Sequence, residues 1–216
     1  MDTMIKIDNV TKRTKDGTVL IRDINLQVEK GSIVGLVGRN GSGKTVLLKM
    51  VCGLMKISEG TIEIDGIEYN SKSNKIPKSI GAIIETPGFL ENMSGIKNLE
   101  YLAEVRGKIG RREIIGIMDD VGLSYMSKKP VRNYSLGMRQ RLAIAQALME
   151  NPNVLILDEP FNGLDNDGVR AMRNLLLSYR RRGTTILLTS HNEEDIEKLC
   201  DKVYEMEAGH LKPSTK

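Results

Sequence analysis

The sequence predicts an α/β fold with a mostly parallel core sheet, an N-terminal antiparallel β subdomain and an inserted helical subdomain. Three observations predict it. Ile33 to Val37, Ile80 to Ile84, Val154 to Leu157 and Thr185 to Thr189 are largely apolar on both faces, as strands buried on both sides are. Helical patterns separate these runs, and alternating buried strands and helices imply crossovers within one parallel sheet. Near the N-terminus the pattern changes. Ile24, Leu26 and Val28 alternate with polar residues, and Thr61 to Ile67 reads as a hairpin turning at Asp65-Gly66.

The first buried strand runs into Gly38-Arg39-Asn40-Gly41-Ser42-Gly43-Lys44-Thr45, a full G-x-x-x-x-G-K-[ST] pattern. An apolar helix follows, carried by Val46, Leu47, Met50 and Val51. Gly41 and Gly43 let the backbone curl so that successive N–H groups face inward. The helix then points its positive end at a phosphate. Lys44 is expected to reach the β- and γ-phosphates, and the Thr45 hydroxyl to ligate Mg²⁺. The competing reading, a chance glycine-rich turn, fits neither flank. The fold is thus expected to be a P-loop NTPase that binds a nucleotide. The loop alone does not choose between a nucleotide kinase, a GTPase and an ATPase.

Met93 to Val121 carries helical spacing in Leu99, Leu102, Ala103 and Arg106, then in Ile114, Ile115, Met118 and Val121. Asn70 to Lys75 reads as a polar loop. We expect one domain over residues 1–216, with a helical subdomain at about 93–149.

Val154 to Leu157 runs directly into Asp158-Glu159-Pro160. Ligands of open parallel sheets bind beyond the carboxyl ends of the strands. Asp158 is therefore expected beside the loop, holding a water of Mg²⁺. Glu159 has the position of a general base for hydrolysis. Acidic pairs also end strands merely because they are solvated, and four preceding apolar residues weaken that reading. His191 follows the last buried strand, where it is expected to contact the γ-phosphate. His210, after Gly209, reads as a surface loop residue. Ser135 reads as the N-cap of an apolar helix (Leu142, Ala145, Leu148, Met149), with Gly137 and Met138 at its start. This second anion-binding helix N-terminus suits a nucleotide held by another subunit.

Taken together, the sequence resembles the ATP-binding cassette (ABC) ATPases over essentially its whole length. Gly38 to Thr45 is similar to their Walker A motif, and Leu155 to Glu159 to Walker B with its catalytic glutamate. Ser135, Gly137, Gln140 and Arg141 are similar to the signature, Asn162-Gly163-Leu164-Asp165 to the D-loop, and His191 to the switch histidine. The resemblance implies a head-to-tail dimer in which Ser135, Gly137 and Met138 complete the partner's ATP site. It also implies a transmembrane permease on a separate chain, engaged through a coupling helix near the helical subdomain. The chain would then work in the cytoplasm, peripheral on the inner face of the cell membrane.

Three positions depart from the family pattern. Glu85 stands where the family usually has a Mg²⁺-ligating glutamine, and a carboxylate can still ligate that ion. Two like charges about 5 Å apart cost about 3 kcal/mol at an effective dielectric of 20. Glu85 beside Asp158 and Glu159 is thus expected to depend on the metal for compensation. The signature reads Ser135-Leu136-Gly137-Met138 rather than Ser-Gly-Gly-Gln. With Glu85, it is similar to the branch that exports, or confers immunity to, peptide antibiotics such as bacitracin and lantibiotics. Thr14 replaces an aromatic that often stacks on adenine, so discrimination between ATP and GTP is expected to weaken.

Composition narrows the alternatives. A net charge of +4 and 4% aromatic residues do not suit a nucleic-acid partner. Two cysteines, Cys52 and Cys200, form no disulfide framework and read as small apolar side chains. The N-terminus lacks a signal-peptide core, and no apolar run is long enough for a bilayer. Arg180 to Arg182 suits a helix C-terminus, and most of the 11 methionines suit the core. A soluble regulatory or mechanical ABC ATPase is the alternative function. A nucleotide-binding module without hydrolysis is opposed by Glu159 and His191.

Overall fold

The computed structural model describes residues 2–72, 79–85 and 88–214. The expected loop over Asn70 to Lys75 falls partly outside the described residues, as do Thr86 and Pro87 beside Glu85.

Two sheets organise the chain. The first comprises β1 (Thr3–Arg13), β2 (Val19–Glu29), β4 (Glu59–Ile64) and β5 (Ile67–Asn70), in the order β2-β1-β4-β5. Its pairings are antiparallel. The β4–β5 hairpin turns at Asp65-Gly66 with Ile64 opposite Ile67. Both turn residues have positive φ, 50° and 74°, as a two-residue hairpin of this hand requires.

The second sheet contains β3 (Ile33–Val37), β6 (Ile80–Ile83), β7 (Val154–Leu157), β8 (Thr185–Thr189), β9 (Lys202–Glu207) and β10 (His210–Ser214). Its order is β10-β9-β3-β8-β7-β6, and only β10 runs antiparallel. The helices are α1 (Lys44–Val51), α2 (Gly95–Arg106), α3 (Arg111–Asp120), α4 (Leu136–Leu148), α5 (Asn166–Arg181) and α6 (Glu193–Leu199).

Strand periodicity divides the core between the two faces of this sheet. Ile33, Ile83, Leu155, Leu157, Ile186 and Leu188 pack toward α2 to α6. Val34, Leu36, Val154, Ile156 and Leu187 pack toward α1 and the antiparallel sheet. Both faces are covered, which explains why these strands read as unbroken apolar runs.

Several details differ from the sequence reading. The edge strand β6 ends at Ile83, one residue early. His210 is exposed as expected, but it opens β10 instead of lying in a loop. Cys200 is buried against Gly35, whereas Cys52 is only half-buried. Burial still pushes the Cys52 thiol up to about 12. At the end of α5, Arg182 lies over the Tyr179 ring at 3.9 Å and Arg180 pairs with Asp201 at 2.5 Å. These arginines are therefore engaged locally. No helix among the described residues is long and apolar enough to cross a membrane.

The edge strand β6 lies close under α4. A Cβ added at Gly81 would meet the Ala147 carbonyl oxygen at 1.9 Å. Gly81→Ala should thus force strand and helix apart and cost about 1–3 kcal/mol. Calorimetry should record a melting temperature lower by roughly 2–4 °C per kcal/mol. An unchanged melting temperature would refute this packing.

Candidate nucleotide site

Three neighbouring strands converge on one end of the sheet. β3, β8 and β7 lie side by side and parallel, so Gly38, Ser190 and Asp158 leave the sheet together. The Asp158 N–H extends the ladder by donating to the Ile83 carbonyl, 2.7 Å.

The loop from Gly38 to Thr45 curls over this end. Gly43 has φ 112°, and a Cβ there would meet Ile21 Cγ2 at 2.6 Å, so only glycine fits. The first-turn N–H groups of α1 have no carbonyl within the helix to bond. Ser42 Oγ is buried without a hydrogen-bond partner. A cavity of about 250 Å³ surrounds the loop, lined by Leu20, Asn40 to Val46, Asp158 and Glu159. Orphan donors, a buried free hydroxyl and a helix N-terminus fit a phosphate chain. Lys44 Nζ donates to the carbonyls of Gly38 (2.6 Å) and Arg39 (3.1 Å), folding back along the loop.

A chain of hydrogen bonds joins the strand ends. Thr45 Oγ1 donates to Asp158 Oδ2 at 2.7 Å, and Thr189 Oγ1 donates to Asp158 Oδ1 at 2.7 Å. Thr189 Oγ1 also accepts the Glu159 N–H at 2.9 Å. Glu159 has a left-handed φ of 49°, which costs a residue with a Cβ about 1–3 kcal/mol and turns its carboxylate out of the strand line. That carboxylate meets His191 Nδ1 at 2.8 Å. Lys44, Thr45, Asp158, Glu159 and His191 thus share one corner. Thr189 and Leu20 belong there too and escaped the sequence reading. Thr189 could have been noticed as the hydroxyl that ends a buried strand two residues before His191.

Glu85 lies beside the corner and outside the loop cavity. It lines an adjoining cavity of about 300 Å³ with Leu136, Arg139, Gln140, Asp158, Glu159 and Asn162. Its compensation comes from Lys49 on α1, whose Nζ lies 2.7 Å from Glu85 Oε1. Helix α1 thus brings a cation to a charge for which the sequence reading names only the metal. Thr14 sits in the turn between β1 and β2, hydrogen-bonded to Asp16 and to the Thr18 carbonyl. Among the described residues no aromatic lines the loop cavity, and Leu20 offers an apolar wall instead.

Ser135, Gly137 and Met138 do not line the loop cavity. Ser135 caps α4 as expected, its Oγ accepting the Met138 N–H at 3.2 Å. The Met138 side chain is half-buried against the core. A Cβ at Gly137 would meet the Gly163 carbonyl oxygen at 2.9 Å, and one at Gly163 would meet Leu136 Cγ at 2.4 Å. These two segments are therefore pressed together. Arg139 pairs with Glu91 at 2.7 Å and holds that carboxyl below the usual range.

Comparison with known proteins finds relatives along nearly the whole chain. The family model described as ABC transporter matches residues 21–162. The bacitracin transport ATP-binding protein BcrA of Enterococcus faecalis is 43% identical over 213 residues, 98% of this chain and 68% of the relative. The lantibiotic transport ATP-binding protein SrtF of Streptococcus pyogenes is 37% identical over 198 residues, 92% of this chain and 84% of the relative. A solved dimeric ATP-binding cassette, in a post-hydrolysis state bound to ADP and Pi, superposes with a TM-score of 0.89. It covers 99% of this chain and 98% of its own, and its 23% identity supports the shared fold alone.

The fully buried Thr189 hydroxyl supports both acidic residues. Thr189→Val keeps the shape and removes the oxygen, leaving the Glu159 N–H unpaired. Denaturant unfolding should show a loss of about 1–3 kcal/mol. A stability equal to wild type would sink this assignment.

Proposed function

The chain belongs to the ABC transporter family and hydrolyses ATP, and from that premise we propose that it drives a membrane exporter of peptide antibiotics or similar amphiphiles. The names of its bacitracin and lantibiotic relatives support the class of cargo. The observation that carries the hydrolytic reading is the linked corner of Thr45, Asp158, Glu159 and His191.

In this reading the loop N–H groups and Ser42 hold the phosphate chain. Lys44 leaves its carbonyl partners for the terminal phosphoryl oxygens, where it offsets charge that grows in the transition state. Glu159 accepts a proton from the attacking water. His191, held against Glu159, donates a hydrogen bond to the γ-phosphate. Thr45 and Asp158 present adjacent hard oxygens that fit Mg²⁺, with Glu85 able to join them on leaving Lys49. Bound there, the ion would neutralise phosphate charge.

Ser135, Gly137 and Met138 would serve the ATP of a second copy or a related domain, packed head to tail. The absence of these residues from the chain's own loop cavity supports that arrangement. The helical segment 93–149 would be the unit that meets a permease chain, placing the protein on the inner face of the membrane.

Glu159→Gln removes the base and keeps the shape. It should bind ATP as before while steady-state phosphate release falls roughly 100- to 10,000-fold. Wild-type hydrolysis per chain should also fall on dilution as dimers separate. Full hydrolysis in the variant, or a rate per chain that ignores concentration, would count against the mechanism. For the cargo, loss of the chain should make its host more sensitive to bacitracin or to a lantibiotic. Unchanged minimal inhibitory concentrations for both would exclude it.

A further inference from the structure

His191 poses a positioning problem. Its side chain is 71% exposed, so packing does not hold it, yet Nδ1 sits 2.8 Å from Glu159 Oε2. What is held is the main chain on either side. Before it, Thr189 is tied to Asp158 and Glu159. Around it, Ser190 Oγ accepts the Asn192 N–H at 3.1 Å, closing a turn across His191. The same hydroxyl donates to Asp195 Oδ2 at 2.9 Å. The other oxygen, Asp195 Oδ1, accepts from Arg173 Nε at 2.7 Å and from Arg173 Nη2. Arg173, Asp195 and Ser190 are 5%, 3% and 3% exposed.

We propose that Arg173, acting through Asp195 and Ser190, is a positioning residue for the His191 imidazole; this rests on the role given to His191 above. A well-packed apolar pair could join α5 to α6 at least as stably as a buried ion pair. An apolar pair would not aim an acceptor. The guanidinium fork takes one carboxylate oxygen from a fixed direction, so the other oxygen must face Ser190. Arg173 Nη2 also reaches Glu194 Oε2 at 3.2 Å, and Arg173 together with Lys198 pulls the Glu194 carboxyl down to about 2. The cation therefore rests on two neighbouring residues of α6, which fixes the rotation of that helix relative to His191. The hydroxyl of Ser190 converts that rotation into a main-chain path.

The chain contains 2 histidines, and this makes a direct test possible. His191 and His210 give separate imidazole signals in a ¹H–¹⁵N spectrum, and His210, on β10, lies outside this network. In the full chain, Ser190→Ala and Arg173→Lys should each shift the His191 ring resonances and leave those of His210 in place. With ATP, kcat should fall roughly 10- to 100-fold at an unchanged KM. In a His191→Ala background the same changes should cause no further loss. Unmoved His191 resonances, or equal losses in the two backgrounds, would overturn the proposal. Should Arg173→Lys fail to fold, Ser190→Ala removes a single hydroxyl and decides the question alone. Hydrolysis at the wild-type rate in His191→Ala would refute the role of His191, while the ring resonances would still report on its positioning.

Discussion

The Asp158 carboxylate accepts one hydrogen bond from Thr45 and another from Thr189. Through these it ties the end of β7 to the first turn of α1 and to the end of β8. Thr189 passes the connection on to the Glu159 N–H, and Glu159 to His191. Three parallel strands meet at this point because their apolar residues must be buried on both faces. The polar residues that follow them are then forced into one corner. Burial supplies the convergence, and hydrogen bonds supply the register.

Around that corner the backbone is held in costly conformations. Glu159 and Glu85 carry positive φ values of 49° and 57°. Each takes a side chain out of the direction its strand would give it, and each carboxylate then finds a basic or imidazole partner. Such strain persists only when neighbouring structure over-determines it. The paired contact of Gly137 with Gly163 and of Gly163 with Leu136 shows the same economy at the start of α4. This segment packs against Gly163 of its own chain and lies outside the loop cavity. It presents an exposed Leu136 and a helix N-terminus capped by Ser135 to solvent.

Much of this was legible in the sequence because its signals are local. The buried strands are runs of apolar residues. The β4–β5 hairpin is encoded by Asp65-Gly66, and the loop by eight consecutive residues. What escaped depends on partners far apart in sequence. β9 joins the sheet because β3 offers an open edge, and β10 contains Pro213, which speaks against a strand until an edge position is known. Thr189 looks like one more buried strand residue until β7 lies beside it. Arg173 and Asp195 are 22 positions apart, and only the packing of α5 on α6 pairs and buries them.

Lys49 shows why charge reasoning from sequence alone misleads. Glu85, Asp158 and Glu159 suggest three carboxylates in search of a cation. Lys49 stands one helical turn after Thr45, so the helix that carries the phosphate loop also carries the compensating charge. The Glu85 side chain is 62% exposed, so this pair is screened and weak, worth no more than about 1 kcal/mol. Weakness suits its place in the molecule. A screened, exposed pair exchanges partners more readily than a buried one. The buried ion pair of Arg173 and Asp195 lies behind His191, and the weak, exposed pair lies at Glu85. The nucleotide corner is thus backed by a buried ion pair on the His191 side and by an exposed one on the Glu85 side.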